Sequence, residues 1–210
     1  MKSETAENHS QARERVLDAA DKLFAERGYA AVTLRDIAAE VGIRHTSLYH
    51  HVPGGKEELF IEVTERSLTH HRIGLSEAIV QAGTTIRPQL FAAADWFLSH
   101  PPMDLVRMTY SDMPEIEPRE AHRISQMAFD ALILPVHYAL EGAHQRGEIA
   151  HDDVGLIAGG LVGMIESLHS IPEFVFKGDA APRKTRKEMA YALIDVMLRG
   201  LEKREMEKHS

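Results

Sequence analysis

The sequence predicts an all-α chain: a three-helix head built around a helix-turn-helix, followed by a longer helical body. Three observations carry this. Apolar residues recur at three- and four-residue spacing along most of the chain, and no stretch shows the alternation of a strand. Gly28, Gly42, Gly54-Gly55, Pro101-Pro102 and Gly147 mark breaks between these stretches. With 44% apolar residues in 210, the chain has enough material for a buried core.

The elements follow in order. Met1 to Ser10 is polar and expected to fray. From Gln11 to Arg27, Val16, Leu17, Ala20, Leu23 and Phe24 share one helical face, and Gly28 stops the helix. Thr33 precedes the next helix, with Asp36 three residues on in a capping-box arrangement. Leu34, Ile37, Ala38 and Val41 form its apolar stripe, and Gly42 follows where the chain must turn sharply. Arg44 to His51 resumes a helical pattern with Leu48 inward and Arg44, His45, Thr46, Ser47, Tyr49 and His50 outward. That outward set of cation, imidazole, hydroxyl and phenol suits phosphate oxygens and base edges in a DNA major groove. Helix, glycine turn and reading helix make a helix-turn-helix.

The body is helical throughout. A long helix runs from Lys56 to about Gln81, with Leu59, Phe60, Val63, Leu68, Ile73 and Leu75 as its apolar face. Ile86 to His100 follows, then a short piece from Met103 to Met113 and a loop with Pro114 and Pro118. Arg119 to Gln145 is a longer helix that Pro135 should bend. Asp152 to Ser170 is apolar on several sides and places Gly155, Gly159 and Gly163 four residues apart, a stripe along which another helix can pack closely. After Pro182 the last helix shows Met189, Leu193, Val196, Met197 and Leu201.

The run FAERGYAAVTLRDIAAEVGIRHTSLYHHVPGGKEEL, Phe24 to Leu59, resembles the DNA-binding head of the tetracycline-repressor (TetR) family of bacterial transcriptional regulators. The resemblance rests on Phe24, Gly28 with Tyr29, Thr33, the Ile37 to Gly42 run, Leu48 with Tyr49, and Lys56, and covers about a quarter of the chain. Two departures stand out. Arg44 occupies a position where the family often has a capping Ser, and Pro53-Gly54-Gly55 is one residue longer than the commonest linker.

The resemblance implies a homodimeric, ligand-responsive repressor with residues 1–55 as the DNA-binding head and residues 56–210 as the effector-binding and dimerisation domain. With the polar face of the reading helix, it assigns DNA contact to Thr33, Arg35, Arg44, His45, Thr46, Ser47, Tyr49, His50 and Lys56. The partners implied are a near-palindromic duplex operator and a small apolar or aromatic effector. Two reading helices about 34 Å apart would engage successive major grooves. Gly155, Gly159, Gly163, Met189, Leu193, Val196, Met197 and Leu201 are the expected dimer interface, two helices from each subunit. Trp96, Phe97, Met103, Met108, Tyr110, Met113, Phe129, Tyr138 and Met164, rich in aromatic and thioether surface, are the expected effector pocket. Residue by residue, ordinary core is the competing reading.

Composition bounds the alternatives. The net charge of −8 lies outside the head: residues 1–56 hold eight Lys or Arg and eight Asp or Glu, leaving 24 − 8 = 16 cations against 32 − 8 = 24 anions. A neutral head predicts modest non-specific DNA affinity. No apolar run reaches the ~18 residues of a membrane span, and the N-terminus is too polar for a secretory signal, so a cytoplasmic protein is expected. Without cysteine there is no disulfide or thiolate chemistry. No cofactor is expected, and the absence of a phosphate-binding glycine loop or nucleophile elbow argues against an enzyme. Among thirteen histidines, His137, Glu141 and His144 share one helical face, the basis of an alternative metal- or pH-responsive regulator, though no fourth ligand is evident. His70 and His71 point apart on a helix, and the cluster Arg183, Lys184, Arg186, Lys187 reads as a solvated turn.

Overall fold

A computed structural model describes residues 2–150, 153–171 and 184–201. The helices are α1 (Lys2–Arg27), α2 (Leu34–Val41), α3 (His45–Leu48), α4 (Gly55–Gln81), α5 (Ile86–Ser99), α6 (Leu105–Arg107), α7 (Pro118–Ala128), α8 (Leu134–Gln145), α9 (Val154–Ser167) and α10 (Arg186–Leu201). No strand occurs among the described residues, so the all-α expectation holds. Two stretches differ from expectation near the N-terminus and in the body. Helix α1 starts at Lys2 rather than after Ser10, because the polar leader contains neither Gly nor Pro to interrupt it. Ile73, expected on the apolar face of α4, is 48% exposed. Asp152 and Arg183 fall outside the described residues.

These residues form two compact units: residues 1–70 with 103–127, and residues 71–102 with 128–210. The units cut across the functional division expected at 55/56, since α4 and residues 103–127 both contribute to the unit that contains the head.

In the first unit, Val16, Leu17, Ala20, Leu23 and Phe24 of α1 are all buried, joined by Ile37, Ala38 and Val41 of α2 and by Leu48 of α3. Phe24, Tyr29 and Phe60 close the core as a ring cluster, with centroid separations of 5.2 Å for Phe24–Phe60 and 4.9 Å for Tyr29–Phe60. Ion pairs join α1 to α4 along the outside: Arg13–Glu62 at 2.7 Å and Arg66–Glu14 at 2.8 Å. Residues 103–127 add α6, a π-helical turn Met108–Asp112, a 3-10 turn Met113–Glu115 and α7. Arg123 of α7 pairs with Glu65 of α4.

In the second unit, α5 is the central helix: Leu90, Ala93, Ala94 and Phe97 are buried. Packed on it is α10, through Ala190, Ile194 and Leu198. The helix expected over Arg119 to Gln145 is observed from Pro118 to Gln145, but in three parts, α7, a π-helical turn Phe129–Ile133, and α8. Pro135 sits in the first turn of α8, where no bond within that helix is asked of its missing N–H, and the wider π turn absorbs the interruption. Helices α9 and α10 are tied at both ends, Ala150 N–H to Leu201 O at 3.0 Å and Arg186 Nε to Leu168 O at 3.1 Å, so they run antiparallel.

Candidate nucleic-acid interface

The head is set by its two turns. Gly28 ends α1 with φ +80° and Gly42 ends α2 with φ +76°, left-handed conformations that a side chain disfavours. At Gly42 the N–H groups of Gly42 and Ile43 close back on Ala39 and Ala38 carbonyls at 3.1 and 2.9 Å. The start of α2 is a full capping box: Asp36 N–H donates to Thr33 Oγ1 at 3.3 Å, and Thr33 N–H and Oγ1–H donate to Asp36 Oδ2 at 2.8 and 2.6 Å. The Thr33 bonds hold the Asp36 carboxyl below its ordinary pKa.

Beyond Gly42, Leu48 is fully buried while Tyr49 is 49% exposed, so α3 turns one apolar side chain in and its polar neighbours out. Thr46, Tyr49 and His50 are exposed, and His45 and Ser47 partly so. The His45 and Tyr49 rings meet edge-on, centroids 5.2 Å apart, on one outward surface. The helical part is shorter than the expected Arg44 to His51: α3 is four residues, continued by turns whose N–H groups at His50, His51 and Val52 bond to Ser47 and Leu48 carbonyls. Arg44 is its N-cap without a side-chain bond, as its replacement of a hydroxyl residue implies. Arg35 on α2 and Arg44 are exposed and form no ion pair among the described residues. Lys56 is placed differently, its Nζ donating to Tyr29 O at 3.0 Å and lying 3.9 Å from the centre of the Tyr29 ring. Burial, and then the charges of Glu57 and Glu115, push the Tyr29 phenol up.

Sequence periodicity does not reveal what fixes the loop after α1. Asp112, 4% exposed, accepts the Tyr29 N–H at 2.8 Å. Arg107 Nη2 donates to the last carbonyls of α1, Phe24 at 3.2 Å and Ala25 at 2.9 Å, and Arg107 Nε stands 3.5 Å from Asp112 Oδ2. Sequence signals for these two residues are absent, because the pairing spans over eighty positions.

The expected effector residues separate. Met103, Met108, Tyr110 and Met113 belong to the first unit; Trp96, Phe97, Phe129, Tyr138 and Met164 belong to the second. Phe97, Met108 and Met113 are buried, whereas Tyr110, Tyr138 and Phe129 are 79%, 63% and 48% exposed. Trp96 alone of the set lines the concave groove of the second unit, of about 990 Å³, together with Lys184, Arg186 and Lys187 of the basic cluster read from the sequence as a turn. Among the described residues no three His, Asp or Glu side chains are gathered as a metal site, so His137, Glu141 and His144 do not assemble one.

A capped helix, a glycine turn and a short helix with an outward polar face define a helix-turn-helix protein with an all-helical body. Residues 16–63 match the family described as "Bacterial regulatory proteins, tetR family", so the head is similar to the heads of that family. It is 36% identical over 72 residues to the HTH-type transcriptional regulator LmrA of Bacillus subtilis, covering 34% of this chain and 38% of that one. Over 80 residues it is 42% identical to the HTH-type transcriptional repressor KstR2 of Rhodococcus jostii, 38% of each chain. The matched region thus spans under two fifths of these relatives. In fold the chain is similar to the TetR family transcriptional regulator PfmR of Thermus thermophilus, with TM-score 0.61, 24% identity, and 90% and 100% of the two chains covered.

Proposed function

We propose that the chain is a ligand-responsive transcriptional repressor that binds a near-palindromic operator as a homodimer, with residues 1–55 as reader and residues 56–210 as sensor and dimerisation domain. The observation that carries the reading is α3: Leu48 is fully buried, and Tyr49, His45 and their hydroxyl neighbours face outward from it. Arg35 and Arg44 flank that face as cations committed to no carboxylate, available to phosphates. Thr33, Thr46, Ser47 and His50 complete the contact set, with Lys56 reaching a phosphate only by leaving Tyr29.

A second copy fits what α9 and α10 leave open. Among the described residues an added Cβ at Gly159, Gly160 or Gly163 meets no atom of another element within 4 Å, and Leu156 and Val196 are 70% and 68% exposed. On α10 the buried stripe is Ala190, Ile194 and Leu198, while Met189, Leu193, Val196, Met197 and Leu201 all retain exposure. An antiparallel helix pair with an apolar outer face and a row of glycines supports a four-helix interface between copies. Among the described residues no helix is long and apolar enough to cross a membrane, and a cytoplasmic, non-enzymatic role follows from the regulator reading.

The test is selection of a duplex from a random library, followed by fluorescence anisotropy across salt. Affinity should fall at least about tenfold between 50 and 200 mM salt. Arg35→Ala and Arg44→Ala should each reduce the salt slope by about one, and Tyr49→Phe should weaken all sequences alike. Changes at His45 or Ser47 should alter which sequence is preferred. If no duplex is enriched, or if all these variants bind as the parent does, α3 is not the reader.

A further inference from the structure

The groove of the second unit has a composition at odds with the rest of the chain. Its apolar part is Ala78, Ala92, Leu98 and Met189 around the Trp96 indole. That indole is already fixed: its N–H donates to His71 Nδ1 at 3.1 Å, its ring stacks on His100 at 3.9 Å, and Gly74 leaves the space it occupies, since an added Cβ would come to 1.8 Å of the ring. A flat apolar surface held in advance lowers the ordering cost of binding.

The mouth is basic. Among the described residues Lys184, Arg186 and Lys187 face one carboxylate, Asp95, whose charge is met by Lys187 Nζ and the Tyr191 hydroxyl, each at 2.8 Å. Glu188, close by, does not line the groove; its carboxylate is turned onto Thr185, accepting the N–H at 2.7 Å and the hydroxyl at 3.0 Å. Lys184 makes no hydrogen bond among the described residues, though its charge helps to lower the Glu188 pKa after the Thr185 bonds, and the outer guanidinium nitrogens of Arg186 remain open, Arg186 being anchored through Nε to Leu168 O. The lining formed by the described residues is therefore net positive in a chain of net charge −8.

We propose that this groove binds a small amphipathic carboxylate, its apolar or aromatic body against Trp96 and its carboxylate at Lys184 and Arg186. The geometry opposes the other two ligand classes of similar size. A neutral apolar molecule leaves the cations unused, and a quaternary ammonium meets Lys184 and Arg186 with Asp95 already engaged. This deepens the regulator reading by naming the class of effector, and the binding step itself stands apart from DNA.

Trp96 is the only tryptophan, so its emission reports the groove directly. The full-length protein is titrated with octanoate, 1-octanol and octyltrimethylammonium, each below its micellar concentration, with calorimetry in parallel. Octanoate should change the emission saturably and bind roughly tenfold more tightly than octanol, the size expected for a charge-assisted contact partly open to water. Lys184→Gln with Arg186→Gln should remove that tenfold preference and leave octanol binding unchanged, while circular dichroism confirms the fold. The proposal is overturned by equal binding of octanoate and octanol, by a preference for the ammonium, by an unchanged double variant, or by no saturable response in either measurement. A protein that fails these tests but still selects a duplex keeps the regulator reading and loses this one. The converse result, octanoate binding without duplex selection, separates the two the other way.

Discussion

Replacing Asp112 by Ala should destabilise the first unit by about 2–4 kcal/mol. The figure follows from the contacts. The carboxylate is 4% exposed and supplies the acceptor for Tyr29 N–H at 2.8 Å, so its removal leaves a buried amide without a partner, a cost of about 1–3 kcal/mol. It also removes the anion 3.5 Å from Arg107 Nε. That nitrogen has no hydrogen-bond partner, and the Arg107 side chain is 25% exposed, so the lost attraction lies well below that of a fully buried pair. Asp112→Asn keeps an oxygen for Tyr29 and loses only the charge, and should cost about 1 kcal/mol. Urea unfolding followed by circular dichroism measures both, and a double-mutant cycle with Arg107→Ala should give a coupling of at least about 0.5 kcal/mol. If Asp112→Ala lies within about 0.5 kcal/mol of the parent, or if Asn is as damaging as Ala, the carboxylate does not fix the loop after α1 in the way argued.

Thr33→Ala should cost about 1 kcal/mol by removing the α2 cap, read by the same urea titration. The Asp36 pKa is depressed in the folded state, so the contribution of this box is present above the unfolded carboxyl value of about 3.9 and lost as pH falls through the lower folded one; the gap between variant and parent should narrow there. Gly74→Val should displace the indole its Cβ would strike, costing about 1–3 kcal/mol and shifting the Trp96 emission to the red, and an unchanged spectrum would refute the close approach. Leu156→Glu, at a position 70% exposed in the single chain, should convert a dimer to monomers by light scattering without loss of helicity, whereas an undisturbed dimer would place the interface elsewhere.

The parts of this structure that were legible in the sequence are those set by local periodicity. Val16, Leu17, Ala20, Leu23 and Phe24 repeat at helical spacing and all five are buried; Thr33 with Asp36 spells a capping box and forms one; Gly28 and Gly42 mark turns and take positive φ. Helix breaks were legible in part. Pro135 announced an interruption, but that the chain absorbs it as a π-helical turn one step earlier depends on the packing of Ala131 and Leu132, which periodicity does not report. The groove was least legible. An aromatic and thioether inventory gathers Met108 and Trp96 into one set, yet they belong to different units, while the cations that line the groove with Trp96 lie some ninety residues further along. The one available signal was a basic cluster in an acidic chain, and solvation explains such clusters equally well until neighbours are known.

The same reasoning about neighbours sharpens the charge argument for the head. Counting residues makes the head neutral, but the count treats committed and uncommitted cations alike. Lys22 is held by Glu40 at 2.7 Å, Arg13 by Glu62, and Lys56 by the carbonyl and ring of Tyr29. These contacts join α1 to α2, α1 to α4, and α4 to the loop after α1, respectively. Arg35 and Arg44, on the two helices of the helix-turn-helix, have no such partner among the described residues. The two carboxylates of α2 are similarly absorbed, Asp36 into its own helix cap and Glu40 into Lys22. A neutral sum therefore resolves into paired charges away from the reading surface and a small positive excess upon it. Two cations on each head give weak attraction singly, since each phosphate contact acts through a screened, solvated pair. Held together by the open faces of α9 and α10, two heads would double the number of phosphates neutralised, and the salt dependence would steepen with them. Under the proposed dimer, assembly through the body would be what makes so small a reading helix sufficient.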